Sequence, residues 1–188
     1  KRFDETGRIE AFQCKWKEGM PKQPHIFWDS DVVKWMEGAA YVLSREAIPE
    51  LQAQVEALID EIEKNQGEDG YFNIHFTVVK PEARFTQRDW HELYCAGHMM
   101  EAAVAYYEAT GRDRFLKIAE KYAAEGYDAI LRNLRVLNDR IEDEEISRQI
   151  DRIEEISRRI FREVERNPEK EKKISALMNG YLPTTQKL

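Results

Sequence analysis

The chain has 188 residues, a net charge of −7 and 42% hydrophobic composition, enough apolar material for one large domain or two small ones and too much for a disordered chain. No run approaches the roughly 18 apolar residues of a membrane span, and the opening KRFDETGRIE lacks the apolar core of a secretory leader. The acidic balance argues against a nucleic-acid partner, because phosphate binding needs a positive patch.

Two cysteines, Cys14 and Cys95, cannot form a disulfide framework and lack zinc-ribbon spacing, so reduced thiols and a cytoplasmic location are expected. The first residue is not methionine, so the chain is expected to start inside a longer protein. Residues 1–28, punctuated by EGMPKQPH, hold no sustained period and read as an extended lead-in. WDSDVVKWMEGAAYVLSRE then offers Asp29 or Ser30 as helix cap, with Val32, Trp35, Met36, Ala39, Ala40 and Leu43 at helical spacing. Pro49 suits a first helical position, and Leu51, Val55, Leu58, Ile59 and Ile62 continue a second amphipathic helix. Together they predict an αα-hairpin.

NQGEDGYFN ends that helix and places Asp69, Tyr71 and Asn73 on a loop, and IHFTVV reads as a short β-like run before Pro81. A third helix is expected from about Asp89 to Thr110, and TGRD marks a stop and restart. From Phe115 through Ile118, Tyr122, Tyr127, Ile130, Leu134 and Leu137 to Ile141 the apolar register is nearly continuous. Gly126 lies within it, at a cost of about 1 kcal/mol against alanine, so a bend or seam is expected near 123–127. EDEE then suits a new helix start, with a stripe at Ile146, Ile150, Ile153, Ile156, Ile160 and Val164. Asn167 and Pro168 predict a further helix, and Pro183 the start of another.

Every Trp, His and Cys lies before residue 99, and the net charge belongs entirely to residues 1–126, since 127–188 carry 13 basic and 13 acidic groups. The shift marks a domain boundary. Within WHELYCAGH, His91, Cys95 and His98 share one helix face about 60° wide at 100° per residue. Zinc could use such donors, but no fourth ligand lies in reach, so Cys95 reads as a small buried hydrophobe and His98 as a hydrogen-bonded core histidine. Asp29 and Asp31 could present a carboxylate pair to sugar hydroxyls; helix capping is the simpler use. Tyr71 and Asn73 join the candidates through their loop. Trp28, Trp35, Trp90, Tyr106 and Tyr107 could stack on a sugar, although helical spacing favours the core. The alternating charges of RQIDRIEEISRRIFREVER read as a solvated face or as a surface for another helix.

FWDSDVVKWMEGAAYVL, GEDGYFNIHFTVVKPEARFT and DWHELYCAGHMMEAAVAYYEATGRDRFLKIAEKYA closely resemble the N-terminal part of the catalytic barrel of family 127 glycoside hydrolases, the β-L-arabinofuranosidases, over residues 7–123. The resemblance implies an (α/α)6 barrel around a sugar pocket and retaining hydrolysis by a cysteine nucleophile beside a zinc held by further cysteines and a glutamate. Neither Cys14 nor Cys95 matches those elements, so no catalytic residue is assigned and no cofactor is expected in this chain, zinc being implied for the full-length parent family. The resemblance favours a sugar-site role for His91, with Glu92 and Tyr94 beside it. GYDAILRNLRVLNDR through NPEK to MNGYLPTTQKL is instead similar to the C-terminal helical region of the 5-bromo-4-chloroindolyl phosphate hydrolysis protein family, over 126–188. Two resemblances meeting in one helix point to a chimera or fusion.

The expected fold is therefore all-α, made of antiparallel helical hairpins: a partial (α/α)6 barrel over 1–125, then a charged helical hairpin module over 126–188. His91, Glu92, Tyr94, Asp29 and Asn73 form the expected substrate-binding set, with carbohydrate as partner. The expected activity is that of a β-L-arabinofuranosidase fragment without its catalytic centre; a helical structural or interaction protein is the alternative. A second copy or a helical partner would cover exposed apolar faces.

Overall fold

The computed structural model describes residues 2–139 and, beyond them, residues 144, 145, 147–149, 151, 152, 155, 158 and 159. Among these the chain forms helices and turns and no strand, in keeping with the all-α expectation. It divides into two compact units, Lys1–Ile130 and Leu131–Leu188.

The first unit opens on two short helices, α1 (Arg2–Thr6) and α2 (Arg8–Ala11), where an extended lead-in was expected. Gly7, at φ 81°, makes the turn between them. The segment folds because it carries an anchor: Phe12 is wholly buried, its ring 5.8 Å from that of Phe72, and burial of a side chain that size contributes about 2–3 kcal/mol.

α3 (Trp28–Leu43) begins a residue earlier than the expected cap. Phe27 precedes it without a side-chain cap, so neither Asp29 nor Ser30 caps the helix. Ser30 Oγ donates to the Phe27 carbonyl at 2.9 Å, and Asp29 Oδ1 accepts the Ile74 amide at 2.9 Å. A backbone donor distant in sequence has captured the carboxyl. α4 (Pro49–Asn65) starts on its proline as expected and buries Val55, Leu58, Ile59 and Ile62.

The run IHFTVV is helical and not β-like: α5 spans Ile74–Val78. Asn73, extended at φ −159°, accepts the Phe76 amide on its side-chain oxygen at 3.1 Å, and this cap overrides the β preference of the branched residues. Ahead of it, Gly70 holds φ +87°, and a Cβ there would press on Lys121 O and sit 2.8 Å from Lys121 C. Left-handed strain and a clash against backbone act together, so Gly70→Ala is expected to lower the unfolding free energy by about 3 kcal/mol, read from a urea midpoint.

α6 (Glu92–Thr110) starts three residues later than expected, after a 3-10 turn at Arg88–Trp90. α7 (Arg114–Asn138) takes Gly126 as an interior helical residue, so the helix is unbroken through 123–127, while the division between the two units falls later in it, at 130/131. Gly126 is buried, and a Cβ on it would lie 3.6 Å from Leu93 Cδ2.

α4 separates a buried apolar stripe from a polar face; α3 and α6, which pack along one another, do not. They bury Val32, Val33, Met36, Ala96, Met99 and Ala103, yet also expose Tyr41, Val42, Leu93, Val104 and Tyr107. Apolar residues on opposite sides of a helix belong to an inner layer.

In the second unit, Asn138 Nδ2 donates to Asp151 Oδ1 at 2.8 Å and to Ser147 O at 3.3 Å. Arg148 pairs with Glu145 at 3.1 Å, both well exposed, as a solvated charged face requires. The stripe from Ile146 to Val164, the helices expected at Asn167–Pro168 and Pro183, and the strings NPEK and MNGYLPTTQKL lie outside the described residues.

Candidate functional site

The expected site residues separate into two levels. At the surface, the start of α3 and the first turn of α6 border an open cleft of about 630 Å³, lined by Arg8, Gln23, His25, Phe27, Trp28, Asp31, Lys34 and Tyr94 among others. Tyr94 is 44% exposed. Lys34 Nζ donates to its hydroxyl at 2.5 Å and lies 4.7 Å from its ring centre, so a cation and an aromatic face are presented together.

His91 stands beside the cleft in the left-handed region, at φ 63°, a conformation uncommon for a residue with a side chain. Its Nδ1 contacts the Asp89 carbonyl, which fits a donor at Nδ1 and leaves Nε2 as the free acceptor. Rings meet in sequence here: His25 with Phe27 at 5.2 Å, Phe27 with His91 at 4.6 Å, His91 with Tyr94 at 5.7 Å and Tyr94 with His98 at 4.5 Å. The last three are edge-to-face, which fixes ring orientation through the aromatic quadrupole.

Asp31 does not pair with Asp29. It points to the cleft and accepts from Arg8 Nε at 2.9 Å, and the Arg8 guanidinium lies 5.2 Å over the Trp28 ring. Two residues apart on a helix, the carboxyls diverge by about 200°, which is why one faces the cleft and the other the core.

Beneath lies a buried polar layer. Asp29, Asn73 and Glu92 are at most 4% exposed, so none reaches the cleft surface. Glu92 Oε1 accepts the Tyr71 hydroxyl, and Oε2 accepts the Phe85 amide at 2.5 Å. Arg84 lies 4.0 Å over the Tyr71 ring and bonds Asp69 at 3.3 Å. Glu92 therefore ties the loop after α4 to the start of α6. Asp29 Oδ2, Asn73 Nδ2 and the Tyr122 hydroxyl have no hydrogen-bond partner. Burial raises the Asp29 carboxyl from its ordinary 3.8 to about 7, and burial likewise raises Glu92.

Cys95 is buried, as expected, and its thiol donates to Ile26 O at 3.4 Å. Burial pushes both Cys95 and Cys14 up to about 12. Zinc–cysteine bonding needs thiolates, so neither residue fits the zinc that the family resemblance implies. His98 is not the carbonyl-bonded core histidine expected: it is partly exposed and its Nδ1 lies 2.9 Å from Glu101 Oε2. Of the aromatic candidates, Tyr106 is buried, Trp35 and Trp90 pack against the core, and Tyr107 is exposed.

Reading residue by residue missed Arg8, His25 and Lys34. A polar stripe pointed to part of this: Asp31, Lys34, Glu37 and Tyr41 recur at three- and four-residue steps on an otherwise apolar helix, as Tyr94, His98 and Glu101 do on α6.

Among the described residues, no helix is long and apolar enough to cross a membrane. Residues 2–147 match the family described as β-L-arabinofuranosidase, GH127 catalytic domain; the match runs past the domain boundary expected at 125/126. A non-reducing end β-L-arabinofuranosidase of Bifidobacterium longum subsp. longum is 39% identical over 104 residues, covering 52% of this chain and 16% of that protein. The crystal structure of a GH127 β-L-arabinofuranosidase from Geobacillus stearothermophilus T6 matches at 42% identity and a TM-score of 0.58, over 67% of this chain and 20% of that one. A second GH127 β-arabinofuranosidase structure matches at 32% identity and a TM-score of 0.55, over 70% and 22%. The chain thus spans about a fifth of the length of these relatives, and over most of its own length it belongs to the GH127 β-L-arabinofuranosidase catalytic-domain family.

Proposed function

We propose that this chain supplies one wall of a carbohydrate pocket for β-L-arabinofuranosides, with His91 and Tyr94 facing the sugar and Asp29, Asn73 and Glu92 holding that wall from behind. The observation that carries the reading is the ring series that brings His91 against exposed Tyr94 beside Lys34, at the mouth of a cleft that also offers Arg8 and Asp31. An aromatic face takes the apolar side of a furanose ring, and the charged groups around it suit vicinal hydroxyls.

In this reading the chain alone turns over no substrate. Its two thiols are protonated at neutral pH and serve neither as nucleophile nor as zinc ligand. Zinc, where a full-length relative binds it, would supply Lewis-acid and thiolate-activating chemistry outside these residues. The exposed Tyr41, Val42, Val104 and Tyr107 suit cover by further helices or a second copy, and the free thiols suit a cytoplasmic location. Residues 126–188, with no His, Cys or Trp, read from composition as an appended module.

The test is paired. Methyl β-L-arabinofuranoside is expected to bind with a millimolar-range Kd, about −4 kcal/mol, weakened about tenfold in Tyr94→Ala, while no arabinose is released. Arabinose release by the chain, or equal binding by Tyr94→Ala, overturns the reading.

A further inference from the structure

The strongest group of ligating atoms lies along α3 and α6, about one turn further along both helices than the cleft residues Lys34 and Tyr94. Glu37 from α3 and His98 and Glu101 from α6 bring one ligand atom each to within 4.8 Å of one another. From these residues we infer a binding site for a first-row divalent cation, with Zn²⁺ as the reference ion, independent of the sugar wall and of any cysteine-bound zinc.

His98 and Glu101 sit three residues apart, so helix geometry puts them on one face, and Glu37 faces them from the neighbouring helix. A central ion at about 2.0–2.2 Å from each donor sets the donors roughly 3–4 Å apart, so modest side-chain rotation closes the set. One imidazole nitrogen and two carboxylate oxygens form the borderline donor set that Zn²⁺ accepts, with a position left open.

Two further observations point to a cation. His98 Nδ1 has no solvent-exposed surface and lies 2.9 Å from Glu101 Oε2 in a contact that falls short of hydrogen-bond geometry, so an imidazole and a carboxylate already share one point. Among the described residues, neither Glu37 nor Glu101 pairs with Lys or Arg. Lys34, a turn nearer the cleft, is engaged by Tyr94. Tyr41 donates to Glu37 Oε1 at 2.6 Å, and the Tyr94 ring meets the His98 ring edge-on at 4.5 Å. Such outer contacts orient metal ligands.

Titration of the full chain with ZnCl₂ by calorimetry is expected to give one saturable site. His98→Ala and Glu37→Gln should each weaken it about tenfold or more, and His91→Ala should leave it unchanged. Co²⁺ in place of zinc should give visible d–d absorption that His98→Ala abolishes. Glu101 is 62% exposed at its side chain, so Glu101→Gln keeps the fold and decides the matter should His98→Ala misfold. No saturable site, or affinity unchanged in Glu101→Gln, overturns the inference.

Discussion

Replacing Glu92 by alanine is expected to destabilise the first unit by about 3–5 kcal/mol, a large share of the stability of a domain this size. The carboxyl is 4% exposed and receives two donors from separate segments, the Tyr71 hydroxyl ahead of α5 and the Phe85 amide after it. Removal leaves the hydroxyl of a tyrosine only 1% exposed without its acceptor, and each such orphan costs about 1–3 kcal/mol. A cavity where the carboxyl stood adds to the loss. Glu92→Gln keeps the shape and one carbonyl acceptor, so its cost should be about half. Urea unfolding orders the three proteins, and faster hydrogen exchange at the Phe85 amide in the alanine variant locates the damage. Equal midpoints would remove Glu92 from its role as the tie between loop and helix.

Asp29 sets the second large effect, one of pH. Its carboxyl rises from 3.8 unfolded to about 7 folded, chiefly through burial and against the opposing hydrogen bond from the Ile74 amide. A raised carboxyl pKa means that the native state holds a proton the unfolded chain has released between those values. Stability from this group is therefore fully present below about pH 4, falls as pH rises toward 7 and is flat above. The loss across that window is on the order of 4 kcal/mol. Asp29→Asn keeps an acceptor for the Ile74 amide and cannot ionise, so the variant should be the more stable protein at pH 8 by that order and nearly equal to wild type at pH 4. Glu92, raised in the same direction, contributes to both proteins and cancels in the difference. Parallel stability curves for the two proteins would contradict the assignment.

What the sequence made legible were features carried by local pattern. Val55, Leu58, Ile59 and Ile62 marked the buried face of α4, Pro49 its start, and the glycine at 111 the end of α6. IHFTVV was misread because a single side chain decides it: Asn73 caps one helical turn, and residue propensity sees only the branched residues that follow. The lead-in was misread because Phe12 anchors it through a contact with Phe72, sixty residues away. Asp29 and Asp31 looked like a pair in one dimension; the helix turns them apart, and tertiary hydrogen bonds with the Ile74 amide and Arg8 fix each one. The same limit hid the Glu37, His98 and Glu101 group, since two helices must pack before its donors meet.

The central claim is that the ends of α3 and α6 form a sugar-facing wall. Nuclear magnetic resonance titration of the chain with methyl β-L-arabinofuranoside tests it most directly. The account predicts saturable shifts at Lys34, His91 and Tyr94, smaller ones at Asp29 and Glu92, and none at Arg112 or Arg114, beyond the C-terminal end of α6. Shifts scattered without saturation, or confined to residues outside the cleft, would contradict it.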